Sequence, residues 1–359
     1  MRKFFIITLV FLIAFSFIAC SKDNSRGNPA EPTDNNSNIE KNSSDDTPQT
    51  ATEEQPNVTE PAADNSVQNV QAVSPWTRKK DMPVKMFTHR SVVINDKIYV
   101  LGTMDRYDDY NTLYEYDPSA DSWTKKASTL AGKGTVISGG GAAAANGKLY
   151  TFGGGYFKDE NDFVMTYNVQ EYDPSSDEWV LKGELPKKNY AFGTAVIDNR
   201  IYIVGGEASV LEEYDPQANE WIEKSGPNIY YQDAGTIAVN GRIYAFSGAR
   251  TPLVSVYDPK TDAWTLKSPI ITSRIHIFPV AIDGLIYAIN GIKMAGMKYS
   301  NDVEVYDTEN DSWSAKSTSP FASYSSAYAA VKGRIYMIGG EGEDSTQYCV
   351  YEYDPGLDK

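Results

Sequence analysis

Cysteine is nearly absent from this chain, with Cys20 and Cys349 alone in 359 residues. If Cys20 is a modified anchor, Cys349 has no partner, which excludes an intrachain disulfide and a cysteine-based metal site in the folded part. Histidine is as scarce, at His89 and His276. Basic residues are outnumbered: beyond residue 73, 28 Lys and Arg face 38 Asp and Glu. That balance argues against a nucleic-acid partner and against an anionic membrane surface. Long apolar runs are missing except for Phe4 to Ala19, which follows basic Arg2 and Lys3. The run is too short for a comfortable membrane span and has the layout of a secretory signal. From 21 to 73 large apolar side chains give way to Asn, Ser, Asp, Thr, Glu and Pro. Such a segment buries too little surface to offset its ordering entropy and is expected to be a disordered tether, reaching about 40 Å as a flexible coil.

The signal ends Phe17-Ile18-Ala19-Cys20, which resembles the bacterial lipobox with Phe17 in place of the usual Leu. The resemblance implies cleavage before Cys20 and lipid on its sulfur, with several acyl chains needed for stable anchoring. The expected division is a signal peptide over 1–19, a lipid-anchored disordered linker over 20–73 and a folded domain over 74–359.

What the domain has in abundance is repetition. A strand ending in Tyr, then Asp-Pro or Asp-Thr, then a Trp seven residues after the Tyr recurs five times, at Tyr116/Trp123, Tyr172/Trp179, Tyr214/Trp221, Tyr257/Trp264 and Tyr306/Trp313. A sixth Tyr-Asp-Pro, at Tyr353, has no following Trp, and Trp76 supplies the missing one from the other end. Upstream of each Tyr lie two β-rich apolar runs flanking Asn95-Asp96, Asn146-Gly147, Asp198-Asn199, Asn240-Gly241, Asp283-Gly284 or Lys332-Gly333. Such pairs signal two-residue hairpins, whose primed turns need positive φ at both central residues. Each unit therefore holds four strands, and six units of roughly 48 residues read as propeller blades.

Gly-Gly, Tyr and Trp at these spacings resemble the kelch repeat across 74–359, with departures at Gly102-Thr103, Ser247-Gly248, Asn290-Gly291 and Thr308. The resemblance implies an all-β, six-bladed kelch β-propeller. An open ring would leave a bare strand edge, so the last blade is expected to close with the N-terminal strand around Trp76. The Lys three positions after each Trp (Lys79, Lys126, Lys182, Lys224, Lys267, Lys316) read as solvated blade-edge charges.

The connection between the second and third strands is short in blades 3 and 4 and long in blades 5, 6, 1 and 2, so function is expected on the face carrying these insertions. Nine residues before the hairpin turns stand Met86, Ile137, Asn189, Tyr231, Arg274 and Ser323, and seven before them Thr88, Gly139, Ala191, Asp233, His276 and Ser325. Strand alternation puts both sets on one side, which gathers Tyr231, Asp233, Arg274 and His276 at the channel mouth, with His89 and Arg90 on blade 1. These six are the expected ligand-binding residues for an anionic or sugar-like group, with Arg as charge partner. The walls are expected at 106–110, 156–162, 293–299 and 341–345.

Some kelch proteins are copper radical oxidases, but that site needs two His, two Tyr and a Tyr–Cys crosslink, and here two His stand in non-adjacent blades. The bacterial sialate mutarotases, also six-bladed, suggest an enzymatic alternative in which Asp233 and His276 open a sugar ring as acid and base. The acidic stretches at Asp105–Asp109 and Asp159–Asp162 lack the ligand spacing of an EF-hand, and neither a metal nor a cofactor is expected. The reading favoured is a secreted, lipid-anchored envelope protein, monomeric, whose propeller binds a protein or glycan.

Overall fold

The computed structural model describes residues 73–103, 112–130, 139–157, 163–227, 235–246, 252–342 and 348–358. The proposed signal, Cys20 and nearly all of the linker lie outside the described residues, as do Tyr231 and Asp233.

The described residues form six four-stranded antiparallel sheets, and in all but one the strands lie side by side in chain order. In blade 1 these are Phe87–Ile94, Lys97–Thr103, Thr112–Asp117 and Ser122–Lys126. The exception is blade 6, where Ala327–Val331, Arg334–Ile338 and Val350–Tyr353 are completed by Trp76–Arg78. Trp76 stands directly opposite Tyr353 in register, as Trp123 does opposite Tyr116. The N-terminal closure expected from the displaced Trp is therefore present.

Inner strands of neighbouring blades touch in the order 1-2, 2-3, 3-4, 4-5, 5-6 and 6-1, a closed ring. Local chemistry dictates the blade. Both central residues of all six hairpins have positive φ, from 49° at Lys332 to 80° at Gly284, the condition for a turn whose twist matches the strands it joins.

The Tyr-Asp-Pro turn is a structural staple. The Tyr hydroxyl donates to the residue five positions on, at 2.6 Å for Tyr116–Asp121, Tyr172–Asp177, Tyr214–Asn219 and Tyr306–Asp311, 2.7 Å for Tyr257–Asp262 and 2.8 Å for Tyr353–Asp358. Five of these acceptors also receive a backbone N–H from the preceding blade: Lys80, Ala127, Ser225, Ser268 and Ser317. Each Tyr is fully buried and packs on the Trp opposite, with ring centroids 4.6 to 5.3 Å apart. The cores between blades are built from these rings and the apolar positions of the alternating strands.

The Lys after each Trp is not a free solvated charge. Lys79, Lys126, Lys182 and Lys224 pair with Glu352, Glu115, Glu171 and Glu213 at 3.0 to 3.7 Å. These Glu residues precede the Tyr of the neighbouring strand. In blades 4 and 5 a Val takes that place, and Lys267 and Lys316 reach Asp311 and the Asp358 carbonyl instead.

Candidate functional site

The two residue sets expected to share a channel-facing side do not. Gly139, Ala191, His276 and Ser325 have φ of 70°, 57°, 56° and 54°. A left-handed residue breaks the alternation that the expectation assumed. In blade 1 the strand register shifts between Phe87 and Arg90. Positions two residues earlier consequently point into the blades, with Met86, Asn189, Arg274 and Ser323 all at most 2 % exposed.

Arg274 is thus placed inside blade 5 rather than on a pocket wall. Its guanidinium meets the Glu304 carboxylate at 3.1 Å and donates to the carbonyls of Asn290, Asp302 and Ala288 at 2.8, 2.9 and 3.3 Å. Burial pushes its pKa down and Glu304 opposes that shift. The Glu304 carboxylate also accepts from the Thr272 backbone. The charge partner expected for a ligand serves the fold instead.

His276 stays near the surface. Blades 5 and 6 each add a small sheet on the insertion side: Arg274–Ile275 with Ile292–Lys293 and Lys298–Tyr299, and Ser323–Tyr324 with Glu341–Gly342. Across the seam, the Tyr299 and Tyr324 rings stack with centroids 5.4 Å apart and planes 17° off parallel. The His276 ring lies 5.7 Å from Tyr324, whose hydroxyl donates to Glu341 Oε2 at 2.6 Å. Burial, with the Glu341 charge beside it, pushes the Tyr324 phenol up. Asn290 locks the seam from beneath, donating to Ser323 Oγ at 2.6 Å and accepting from Ser319 Oγ at 2.6 Å.

Tyr299 and Glu341 fall within two of the expected walls. Tyr324 was missed, although it stands eight residues before its hairpin turn, next to the left-handed Ser325. The offset beside a kink is where an aromatic residue comes to the rim. Tyr190 holds the same place in blade 3, half-buried.

Arg90 stands apart from this seam. Its guanidinium lies 4.5 Å from the Phe278 ring centroid and lines a cavity of about 270 Å³ to which all six inner strands contribute. His89 lies on the same strand with its side chain outside the described part, and Asp233, the acid–base partner of the mutarotase reading, is also outside it. The geometry brings together His276, Tyr299, Tyr324 and Glu341. It places Arg90 in the channel and Arg274 in the blade interior.

The family described as the KLHDC2/KLHL20/DRC7 Kelch-repeats domain matches residues 65–206, and the Kelch motif matches 189–228 and 276–320. Mouse Kelch-like protein 35 is 26% identical over 131 residues, which are 36% of this chain and 21% of that protein. Beta-scruin of Limulus polyphemus is 29% identical over 143 residues, 39% of this chain and 15% of its own length. Kelch-like protein terF of Aspergillus terreus is 29% identical over 127 residues, 33% and 27%. The chain thus spans about a quarter or less of these relatives. The solved structure of YjhT superposes with a TM-score of 0.63 at 18% identity, over 76% of this chain and 95% of that one, a likeness of fold alone. Repeat, sheet order and structural likeness agree: the domain is an all-β kelch-repeat propeller.

Proposed function

We propose that this chain is a lipid-anchored cell-envelope protein whose propeller is a binding module for a protein or glycan, engaged over the insertion-bearing face. The observation that supports this is the aromatic seam of blades 5 and 6. His276, Tyr299 and Tyr324 present half-buried rings beside the Glu341 carboxylate, and rigid aromatic anchors next to fixed polar groups are what recognition surfaces use. Asp233, at the sequence offset that His276 holds in blade 5, is assigned to the same rim, whereas Tyr231 shares the offset of the inward-pointing Met86, Asn189, Arg274 and Ser323. Anchoring rests on the lipobox-like Cys20 and the polar linker after it.

A photo-crosslinking residue at position 299, in cells carrying the full chain, tests the face. Adducts are expected from 299 and not from 241, in a hairpin turn of the opposite face. Adducts from 241 alone, or equally from both, would overturn the assignment. Cys20→Ser is expected to move the protein from the detergent phase to the soluble fraction or leave its precursor uncleaved, and unchanged partitioning would remove the anchor.

A further inference from the structure

The outer circumference of the ring is guarded unevenly. The last strand of every blade is a sheet edge, which offers a row of unpaired backbone N–H and carbonyl groups to any strand that can approach. Short length and charge protect most of them. The outer strands of blades 1, 3, 4, 5 and 6 have five, five, five, four and three residues, and the second residue after the Trp is Lys125, Glu223, Leu266, Ala315 and Arg78. Blade 2 departs from this. Its outer strand, Glu178–Glu184, has seven residues, and the Trp is followed by Val180 and Leu181, each 55 % exposed.

Successive side chains of a strand point to opposite faces, so a strand added here would meet one apolar neighbour on each face of the sheet. Lys182, the one basic residue of the strand, is drawn to Glu171 at 3.4 Å rather than standing out as a guard. The strand's bulge falls at Lys182 as well, between Leu181 and Gly183, and leaves Glu178 to Leu181 in regular pairing. A Cβ on Gly183 would meet nothing within 4 Å, so the approach stays open beyond the bulge.

Charge decides what can pair. Glu178 and Glu184 bound the run, and neither has an ion pair among the described residues, whereas Lys182 and Lys187 are already engaged by Glu171 and Glu223. The edge is apolar at its centre and anionic at its ends. Residues 21–73 of the same chain, with 3 Lys and Arg against 10 Asp and Glu, are repelled from it. A second copy brings the same carboxylates, and antiparallel pairing about Leu181 sets Glu178 of one against Glu184 of the other, which is destabilising.

We propose that the outer edge of blade 2 is a docking site, separate from the insertion-bearing face, where an extended segment of another protein, apolar at its centre and basic at its ends, adds as a fifth strand. The main chain supplies the hydrogen bonds, Val180 and Leu181 the apolar contacts, and Glu178 and Glu184 the register.

The probe is a dye-labelled Lys-Val-Thr-Val-Thr-Val-Lys peptide, titrated with the full chain and followed by anisotropy, and the control carries Glu in place of both Lys. The lysine peptide is expected to saturate at one site per chain and the glutamate peptide to bind at least about tenfold more weakly. Proline in place of the central Val keeps the charge, removes a backbone donor and is expected to weaken binding by about as much. Val180→Lys is expected to lower the affinity about tenfold or more and, at an exposed position, to leave the melting temperature in place. Leu266→Lys, on the outer strand of blade 4, is expected to change nothing. Should Val180→Lys melt early, Glu178→Gln keeps the shape and is expected to weaken the lysine peptide about threefold. Equal binding of the glutamate peptide, which shares the charge of residues 21–73, or of the proline peptide would overturn the site. So would binding indifferent to Val180→Lys and Glu178→Gln, binding weakened equally by Leu266→Lys, or no saturable binding. Self-association of the full chain in sedimentation that Val180→Lys abolishes would assign the edge to a second copy and overturn the proposal.

Discussion

Trp76 and Tyr353, from opposite ends of the domain, stack with ring centroids 4.7 Å apart in the same register as the Tyr–Trp pairs within the other blades. One difference separates this pair from four of the others. Trp123, Trp179, Trp264 and Trp313 donate their indole N–H to a carbonyl of the preceding blade at 2.8 to 3.0 Å, whereas the buried Trp76 Nε1 has no partner. The closing Trp contributes its ring and not its polar group. Trp76→Ala is expected to cost about 3 to 5 kcal/mol, the range for a buried aromatic truncation. Trp76→Phe is expected to cost about 1 kcal/mol less than Trp179→Phe, which also discards a hydrogen bond. Urea melts of the three variants measure this, and a Trp76→Ala protein as stable as wild type would mean that blade 6 closes otherwise.

Arg274 and Glu304 make the second prediction. Both are almost fully buried, and removing one member of such a pair leaves the other charge uncompensated. Arg274→Met is expected to destabilise by about 3 to 5 kcal/mol, while Arg274→Met with Glu304→Met recovers much of the loss. A double-mutant cycle in denaturant checks both values. Additive losses would show that the two charges do not act as a pair.

Glu212 occupies the same place in blade 3 as Glu304 in blade 5, two residues before the Tyr, but Asn189 replaces the arginine. Its carboxyl is 2 % exposed and Oε2 has no hydrogen-bond partner. Glu223 faces it across the strands, and Lys187 is engaged by Glu223 at 2.7 Å. Burial pushes the Glu212 pKa up to about 7, with Lys187 opposing and Glu223 adding to the shift. A raised folded-state pKa means the native state holds the proton more tightly than the unfolded chain. The contribution is complete below the unfolded value, falls as pH rises between there and about 7, and is gone above it. Glu212→Gln is expected to match wild type near pH 4 and to exceed it near pH 8 by roughly 2 to 3 kcal/mol. Thermal melts across that range decide it, and parallel pH profiles would mean Glu212 titrates normally.

The contrast between Glu212 and Glu304 shows what the sequence carried and what it did not. The blades were legible because their determinants are local: turn pairs that tolerate positive φ, two-residue alternation and a Tyr fixed seven residues before a Trp. The displaced Trp76 even revealed the closure. Site placement depended on alternation continuing through the start of each inner strand. His276, at φ 56°, broke that assumption and sent Arg274 inward. The Glu304 partner lies 30 residues away at a position that is Tyr114, Gln170, Glu212, Ser255 and Tyr351 in the other blades, so no periodic signal marked it. The ion pairs of Lys79, Lys126, Lys182 and Lys224 were legible in principle. A Glu precedes the Tyr in those four blades and a Val in the two where the Lys turns elsewhere.

Asn219 gives the last prediction, from a single departure in the repeat. Five blades place Asp at the staple position, and each Asp accepts a backbone N–H from the residue four after the Trp of the preceding blade. In blade 3 that residue is Gly183, which has φ 137° beside a register shift between the last two strands of blade 2. The irregular backbone presents the Lys182 carbonyl instead, and Asn219 Nδ2 donates to it at 3.1 Å while Oδ1 accepts from Tyr214 at 2.6 Å. An amide serves both needs, one oxygen to accept and one N–H to donate. A carboxylate has no donor to offer. Asn219→Asp, which restores the residue of the other blades, is therefore expected to destabilise by about 1 to 3 kcal/mol at neutral pH. The reverse exchange in a regular blade, Asp262→Asn, sets an amide against the Ser225 N–H and hydroxyl and is expected to cost about 1 kcal/mol or more. Denaturant titration of both variants at pH 7 measures the losses. A stabilised Asn219→Asp protein would show that the blade 2–3 junction takes the regular geometry after all.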